Sequence, residues 1–229
     1  GNADHTLGNN YDGDLVVGKV ATNGTFLWAS SISGAAADVG RAVQETIDGG
    51  VVVVGNTVSF TVETSMTRDL IVVKLTRDRT LMWAKKWGDA EVNDFGYALD
   101  VATDGSVVVA GLTESDSGTS SALVMKLNST ADFVWGIAVS GEEDFSANTV
   151  KVAEDGDVVW AGQGYQPFTA TLGAIVSKLE MTDSLPEICP GDVQKITTPL
   201  DDVAYAFTVF DAALREWYPL LISRTNVSR

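Results

Sequence analysis

Lys74-Leu75-Thr76-Arg77-Asp78-Arg79-Thr80-Leu81-Met82-Trp83 decides the fold, because the chain writes it more than once. Lys19-Val20-Ala21-Thr22-Asn23-Gly24-Thr25-Phe26-Leu27-Trp28 precedes it. Lys126-Leu127-Asn128-Ser129-Thr130-Ala131-Asp132-Phe133-Val134-Trp135 follows. In each copy the Trp stands nine positions after the Lys. Lys178 continues the series, so the Lys spacings are 55, 52 and 52. Other columns keep the same beat. A glycine follows each Trp (Gly34, Gly88, Gly141), then an aspartate (Asp38, Asp94, Asp144). Asp48-Gly49, Asp104-Gly105 and Asp155-Gly156 come next, and Gly55, Gly111 and Gly162 lie seven residues after those aspartates. A fixed period of this size marks an architecture in which each copy buries its apolar face against its neighbours.

One copy reads as four strands. Leu15-Val16-Val17, Leu70-Ile71-Val72-Val73 and Leu123-Val124-Met125 are short, β-rich and bounded by polar turns. After the Lys and a turn, Thr25-Phe26-Leu27-Trp28 and its equivalents form a second strand. Ala42-Val43, Ala98-Leu99-Asp100-Val101 and Val150-Lys151-Val152 suggest a third. Each Asp-Gly pair is a hairpin signal. It leads into Val51-Val52-Val53-Val54, Val107-Val108-Val109-Ala110 or Val158-Val159-Trp160-Ala161. These last strands are apolar on both faces, so both faces should be covered. Four antiparallel strands in about 50 residues is the size of a propeller blade. The repeated Trp suits the widening gap between radial sheets.

The columns resemble the SBBP-type β-propeller repeat family, on the strength of Asp14-Leu15, Lys19, Gly24, Leu27-Trp28, Gly34, Asp38, Asp48-Gly49 and Gly55-Asn56-Thr57. Asp69-Leu70, Lys74, Met82-Trp83, Gly88, Asp94, Asp104-Gly105 and Gly111-Leu112-Thr113 carry it again. The third copy departs at Gly162-Gln163-Gly164, and the fourth has Pro186-Glu187-Ile188-Cys189-Pro190 near the place of its Trp. A more distant likeness is to quinoprotein-type propellers. By that analogy the Asp-Gly hairpin is the inner strand pair of a blade and the Lys-to-Trp hairpin the outer pair. The resemblance implies an all-β propeller of about four blades, either partial or part of a larger ring. Repeats span 1–185, with approximate blades at 1–33 (partial), 38–88, 94–140 and 144–185. Residues 186–229 form a degenerate terminal blade or capping segment. Within it Val203–Phe210 reads as a strand and Ala212–Trp217 as a short helical turn before Pro219.

Composition narrows the function. The 229 residues hold 15 Lys and Arg against 31 Asp and Glu, a net charge of −16. That argues against nucleic acid, which needs clustered cations. No apolar run reaches the length of a membrane span. At 45% hydrophobic residues the chain has ample core for a folded domain. The lone Cys189 excludes an intrachain disulfide framework and any CxxC zinc site; it is a packed thiol or a bridge between chains. Gly1 is not an initiator methionine, so the expectation is a processed chain or a fragment. A Ser-His-Asp set would rest on His5 alone, outside the repeat. Paired acids for glycoside hydrolysis need a separation that sequence does not measure.

Asp89, Glu91 and Asp94 crowd one loop, and Glu142, Glu143 and Asp144 the equivalent loop. Such loops could share a calcium ion, which wants several carboxylate and carbonyl oxygens. The simpler reading is that the recurring aspartates accept backbone hydrogen bonds and fix a turn. Asn23-Gly24-Thr25, Asn128-Ser129-Thr130 and Asn226-Val227-Ser228 are N-glycosylation sequons. Asn23 and Asn128 fall in the same turn of different copies, as glycan carriers or as ordinary turn residues.

The expectation is therefore a non-enzymatic extracellular or cell-surface protein without a cofactor. It would be a scaffold, adhesion or assembly module, such as a subunit of a filament or surface appendage. Its partners would be other protein chains, copies of itself included, met through blade edges or rim loops. The rivals are a fragment of a propeller enzyme (hydrolase or quinoprotein) and a calcium-dependent binding module.

Overall fold

The computed structural model describes residues 13–32, 34, 36–59, 67–88, 92–115, 117–140, 144–166, 171–179, 193–196, 206–211 and 216–221, the last four segments as strand backbone only. Among them the chain runs through sixteen strands and no helix. The first are β1 (Leu15–Val20), β2 (Phe26–Ile32), β3 (Asp38–Glu45), β4 (Val51–Thr57), β5 (Asp69–Leu75) and β6 (Leu81–Trp87). Then come β7 (Asp94–Val101), β8 (Val107–Glu114), β9 (Ser120–Leu127), β10 (Phe133–Ser140), β11 (Phe145–Val152) and β12 (Val158–Gln166). The last are β13 (Thr171–Leu179), β14 (Val193–Ile196), β15 (Ala206–Asp211) and β16 (Glu216–Leu221).

Strand pairing follows sequence order except where β10 meets β15. β1–β2 form a two-stranded sheet, and β3–β6 and β11–β14 are four-stranded meanders. β7–β10 form a third meander, extended at its β10 edge by β15 and β16. All pairs are antiparallel. The expected helical turn fails at its end: Glu216 and Trp217 belong to β16, and Pro219 pairs with Thr208 inside the same strand. An edge strand tolerates proline because the missing N–H faces away from the ladder. Residues 212–215 lie outside the described set.

The four sheets stack face to face, and the Val runs explain why. Val52 and Val54 join Leu99, Val107 and Val109 in one core, between β3–β6 and β7–β10. Their neighbours Val51 and Val53 point the other way, into a core with Leu15 and Val17. One step along the stack, Val108 and Ala110 meet Val150, Val158 and Trp160. Strand alternation thus feeds two cores from a single run. The repeated tryptophans each turn toward the next sheet. Trp28 packs on the first core, Trp83 on the second and Trp135 within the third. The stack is open: no substantial contact joins β11–β14 to β1–β2 among the described residues.

Three bulges recur at one place. Pairing skips Arg41 in β3, Tyr97 in β7 and Asn148 in β11. Opposite each stands a glycine of the repeat. A Cβ on Gly55, Gly111 or Gly162 would lie 1.8, 1.8 and 1.9 Å from the carbonyl oxygens of Val39, Phe95 and Ser146. Close backbone approach is the physical cause of this glycine column.

Candidate functional site

Of the recurring aspartates singled out by sequence, Asp38 and Asp144 accept hydrogen bonds through their carboxylates, and Asp94 makes a backbone bond. Asp38 is buried, and its carboxylate accepts from Gly34 N at 2.9 Å and Ser59 Oγ at 3.0 Å, with Thr57 Oγ1 closing the set. Asp94 is buried too, and its N–H donates to Arg68 O at 2.6 Å. Asp144 is exposed and accepts from Ser120 N at 2.8 Å and Ser120 Oγ at 2.9 Å. It is not the register equivalent of the other two. Asp38 pairs with Thr57 and Asp94 with Thr113, but Phe145 pairs with Gly164. The third copy has one residue more between this aspartate and its Asp-Gly turn, which shifts Asp144 out of the column. Asp89, Glu91, Glu142, Glu143, Asn226, His5 and Cys189 lie outside the described residues. Among the described residues no three His, Cys, Asp or Glu side chains gather around a common point.

These contacts stitch neighbouring sheets at one end. Gly13 O receives Asp38 N at 2.6 Å, just as Arg68 O receives Asp94 N. Ser120 and Asp144 make the third stitch through a side chain instead. At the other end the repeat Lys fastens the Asp-Gly turn. Lys74 Nζ lies 2.7 Å from Asp48 Oδ2. With Thr46 and the Gly50 N–H, that ammonium holds the Asp48 carboxyl well below the usual range. In the next sheet the Ser106 hydroxyl and N–H do most of this for Asp104, with Lys126 adding attraction. Sequence showed the Lys and Asp-Gly columns separately; their union needed the hairpin geometry.

Two of the three sequon asparagines, Asn23 and Asn128, stand in described turns. Asn23 is exposed, and its Oδ1 accepts from Thr25 N at 3.0 Å. Asn128 Oδ1 accepts from Thr130 N at 3.0 Å and Asp132 N at 2.8 Å, while its Nδ2 donates to Asp132 at 3.2 Å.

β3, β7 and β11 are equivalent strands of successive sheets and bring one polar line together. Asp100 on β7 accepts from Lys151 Nζ at 3.0 Å and Val152 N at 2.8 Å on β11, and from the Gln44 side chain on β3. Gln44, Asp100 and Lys151 occupy the same position of three copies, four residues before each Asp-Gly aspartate. Burial, the largest single influence, raises the Asp100 pKa, but the three donors together outweigh it and the net shift is downward. A depressed folded pKa gives stability that is full above about pH 4 and lost as pH falls through the folded value. Asp100→Asn should therefore lower stability at neutral pH by roughly 1–2 kcal/mol. Urea titrations should show the difference from wild type shrinking below pH 4. A constant difference down to pH 3 would contradict this.

The bulges place Tyr97 and Asn148 beside an open cleft of about 440 Å³ between β7–β9 and β11–β12. Tyr97 stacks on Phe95 at 6.0 Å between centroids and 25° between planes. Burial pushes its phenol above the ordinary value, Arg41 opposing and Glu114 adding to the rise, so it is a neutral donor at physiological pH. Ser120, Asp144 and Ser146 line the same cleft, with Phe145 and Gln163. Ser146 is 6% exposed, and its Oγ has no hydrogen-bond partner among the described residues. An orphaned buried hydroxyl costs about 1–3 kcal/mol. No model of a known protein family matches this chain, and no curated protein does. Sequence reasoning missed the cleft. Asp144 was singled out there, as a member of the aspartate column, but most of the other lining residues belong to no repeated column, and the Gly162-Gln163-Gly164 departure was the remaining signal.

Proposed function

We propose that this chain is a stretch of β-propeller built from SBBP-like repeats, serving as a non-enzymatic extracellular scaffold that assembles with a second copy of itself. The observation that carries the reading is a gap in the burial pattern at one end of the stack. Val16 is 64% exposed, whereas its equivalent Ile71 is 3% exposed. Val43 is 56% exposed, whereas Leu99 and Val150 at the same position are 7% and 2%. The cause is plain in the topology. β1–β2 correspond to the outer pair β5–β6, and among the described residues nothing corresponds to β3–β4 beside them. The apolar face of β3 is thus left bare, and so is the far face of β1. In an open stack of like sheets, the face that fits this end is the one that the far end of another copy offers. Contacts of that kind are head-to-tail. The structural duties of Asp38, Asp48, Asp100 and Asp104 further support a scaffold over an acid–base enzyme.

Sedimentation of the full chain tests this. Self-association that rises with concentration is expected, together with a monomeric Val16→Glu/Val43→Glu variant of unchanged melting temperature. A wild-type chain that stays monomeric at every concentration would overturn the assembly reading. Intact mass of native material before and after glycosidase tests the extracellular part, through a mass loss traceable to Asn23, Asn128 or Asn226.

A further inference from the structure

We infer that the C-terminal hairpin β15–β16 has two homes: the β10 edge of its own chain, and the β2 edge of the next copy in a head-to-tail assembly. The inference rests on the self-assembly reading above and names the segment that crosses between copies.

Three equivalent edges carry the argument. β2, β6 and β10 are the outer strands of successive sheets. On β10 the edge is taken: Gly136 to Ser140 pair antiparallel with Phe210 to Ala206. Aligning the tryptophans at 28, 83 and 135 sets 29–33 and 84–88 against 136–140. On β6 that stretch holds Lys85 and Lys86, both exposed, Lys86 also bonding Asp69. Lysine on an edge strand discourages the addition of another strand. β2 has Ser30 and Ser31 in those two places, and Phe26–Ile32 contains no charge and no proline. β2 therefore matches the edge that is occupied, and it differs from the edge that is guarded.

Strand numbers point the same way. β1–β2 is a sheet of two strands, and β7–β10 with the hairpin is a sheet of six. Two strands alone make a weak sheet. Moving β15–β16 to β2 gives both sheets four, the number in β3–β6 and β11–β14. Among the described residues the hairpin makes substantial contact outside itself with β10 alone. Leaving costs one edge ladder, and joining β2 rebuilds one. Exchange of an element between like sites is a low-cost route to association. The path is short. β14 ends one outer edge, and from it the chain passes to the outer edge of the sheet before. Head-to-tail, the sheet after is the next copy's β1–β2. The link of residues 197–205 extends to at most about 30 Å, against about 10 Å between stacked sheets.

Two experiments on the full chain test the transfer. In the β10 register Thr208 lies opposite Ala138, so on β2 it would lie opposite Ser31. In a Cys189→Ser background, a Ser31→Cys chain is mixed with a Thr208→Cys chain and mildly oxidised. A disulfide-linked pair with one chain of each kind is expected by intact mass. Second, Ser30→Lys/Ser31→Lys gives β2 the lysines of β6. It should weaken self-association in sedimentation by about tenfold or more, at unchanged melting temperature. Ser30→Lys alone should act in the same direction if the double variant folds poorly. A wild-type chain that associates while the mixture yields no linked pair overturns the transfer and leaves the face contact standing. So does association that the lysines do not weaken. A wild-type chain that never associates overturns both.

Discussion

Gly111→Ala is expected to unfold the β7–β10 meander. The added Cβ would sit 1.8 Å from Phe95 O and 2.9 Å from Phe95 C. Both are backbone atoms, so no side-chain rotation relieves the clash. Either β7 loses its bulge, which throws Asp100 and Leu99 out of register, or β8 parts from β7. A loss of about 4 kcal/mol or more is expected, on the scale of a whole domain's stability of ~5–15 kcal/mol. Gly118→Ala is the control. Its φ of +82° carries the ordinary left-handed penalty, but nothing lies within 4 Å of the new carbon. That change should cost only about 1 kcal/mol. Urea denaturation followed by circular dichroism separates the two. If Gly111→Ala melts like Gly118→Ala, the bulge is not what demands glycine.

Trp135→Ala should come next in size, at about 3–5 kcal/mol. The indole is buried between β7–β10 and β11–β14, among Val124, Ile137, Val150 and Trp160. Two sheets line the resulting cavity, and neither can collapse without disturbing its own ladder. Trp135→Phe should be mild, within about 1.5 kcal/mol. It keeps most of the volume and removes an indole N–H that has no partner among the described residues. Trp28→Ala should cost less than Trp135→Ala, because Trp28 lies under the half-covered first sheet and is only partly buried. Equal losses at 28 and 135 would mean that the end of the stack is as well covered as its middle.

Much of the architecture was legible because the repeat writes large residues at fixed beats. Trp28, Trp83 and Trp135 face the next sheet in every copy, and the Val runs pair as their two-sided apolarity requires. The Asp-Gly turns close hairpins with Gly49, Gly105 and Gly156 at positive φ, as left-handed positions demand. Other features were hidden for definite reasons. Arg79 and Ala131 hold the same left-handed place as Gly24, at φ 67° and 63°, and nothing in their chemistry announces it. Arg41, Tyr97 and Asn148 share a bulge yet have no property in common. Asp144 looked like a member of the aspartate column because a one-residue offset is invisible until strands are paired. Gln44, Asp100 and Lys151 differ so much in charge that their complementarity appears only when three strands meet. The cleft depends on two sheets and on residues that vary between copies, so no periodic pattern could mark it.

The stitches Gly13–Asp38, Arg68–Asp94 and Ser120–Asp144 each join a sheet only to the one that follows it. The tryptophans obey the same rule. Along β1–β14 the described sheets are linked to their neighbours, so a whole repeat there can be gained or lost by tandem duplication or deletion without redesigning an interior; the β10–β15 pairing is the exception among the described strands. A change at Tyr97, Ser146 or Asn148, each confined to one junction, leaves the other junctions untouched.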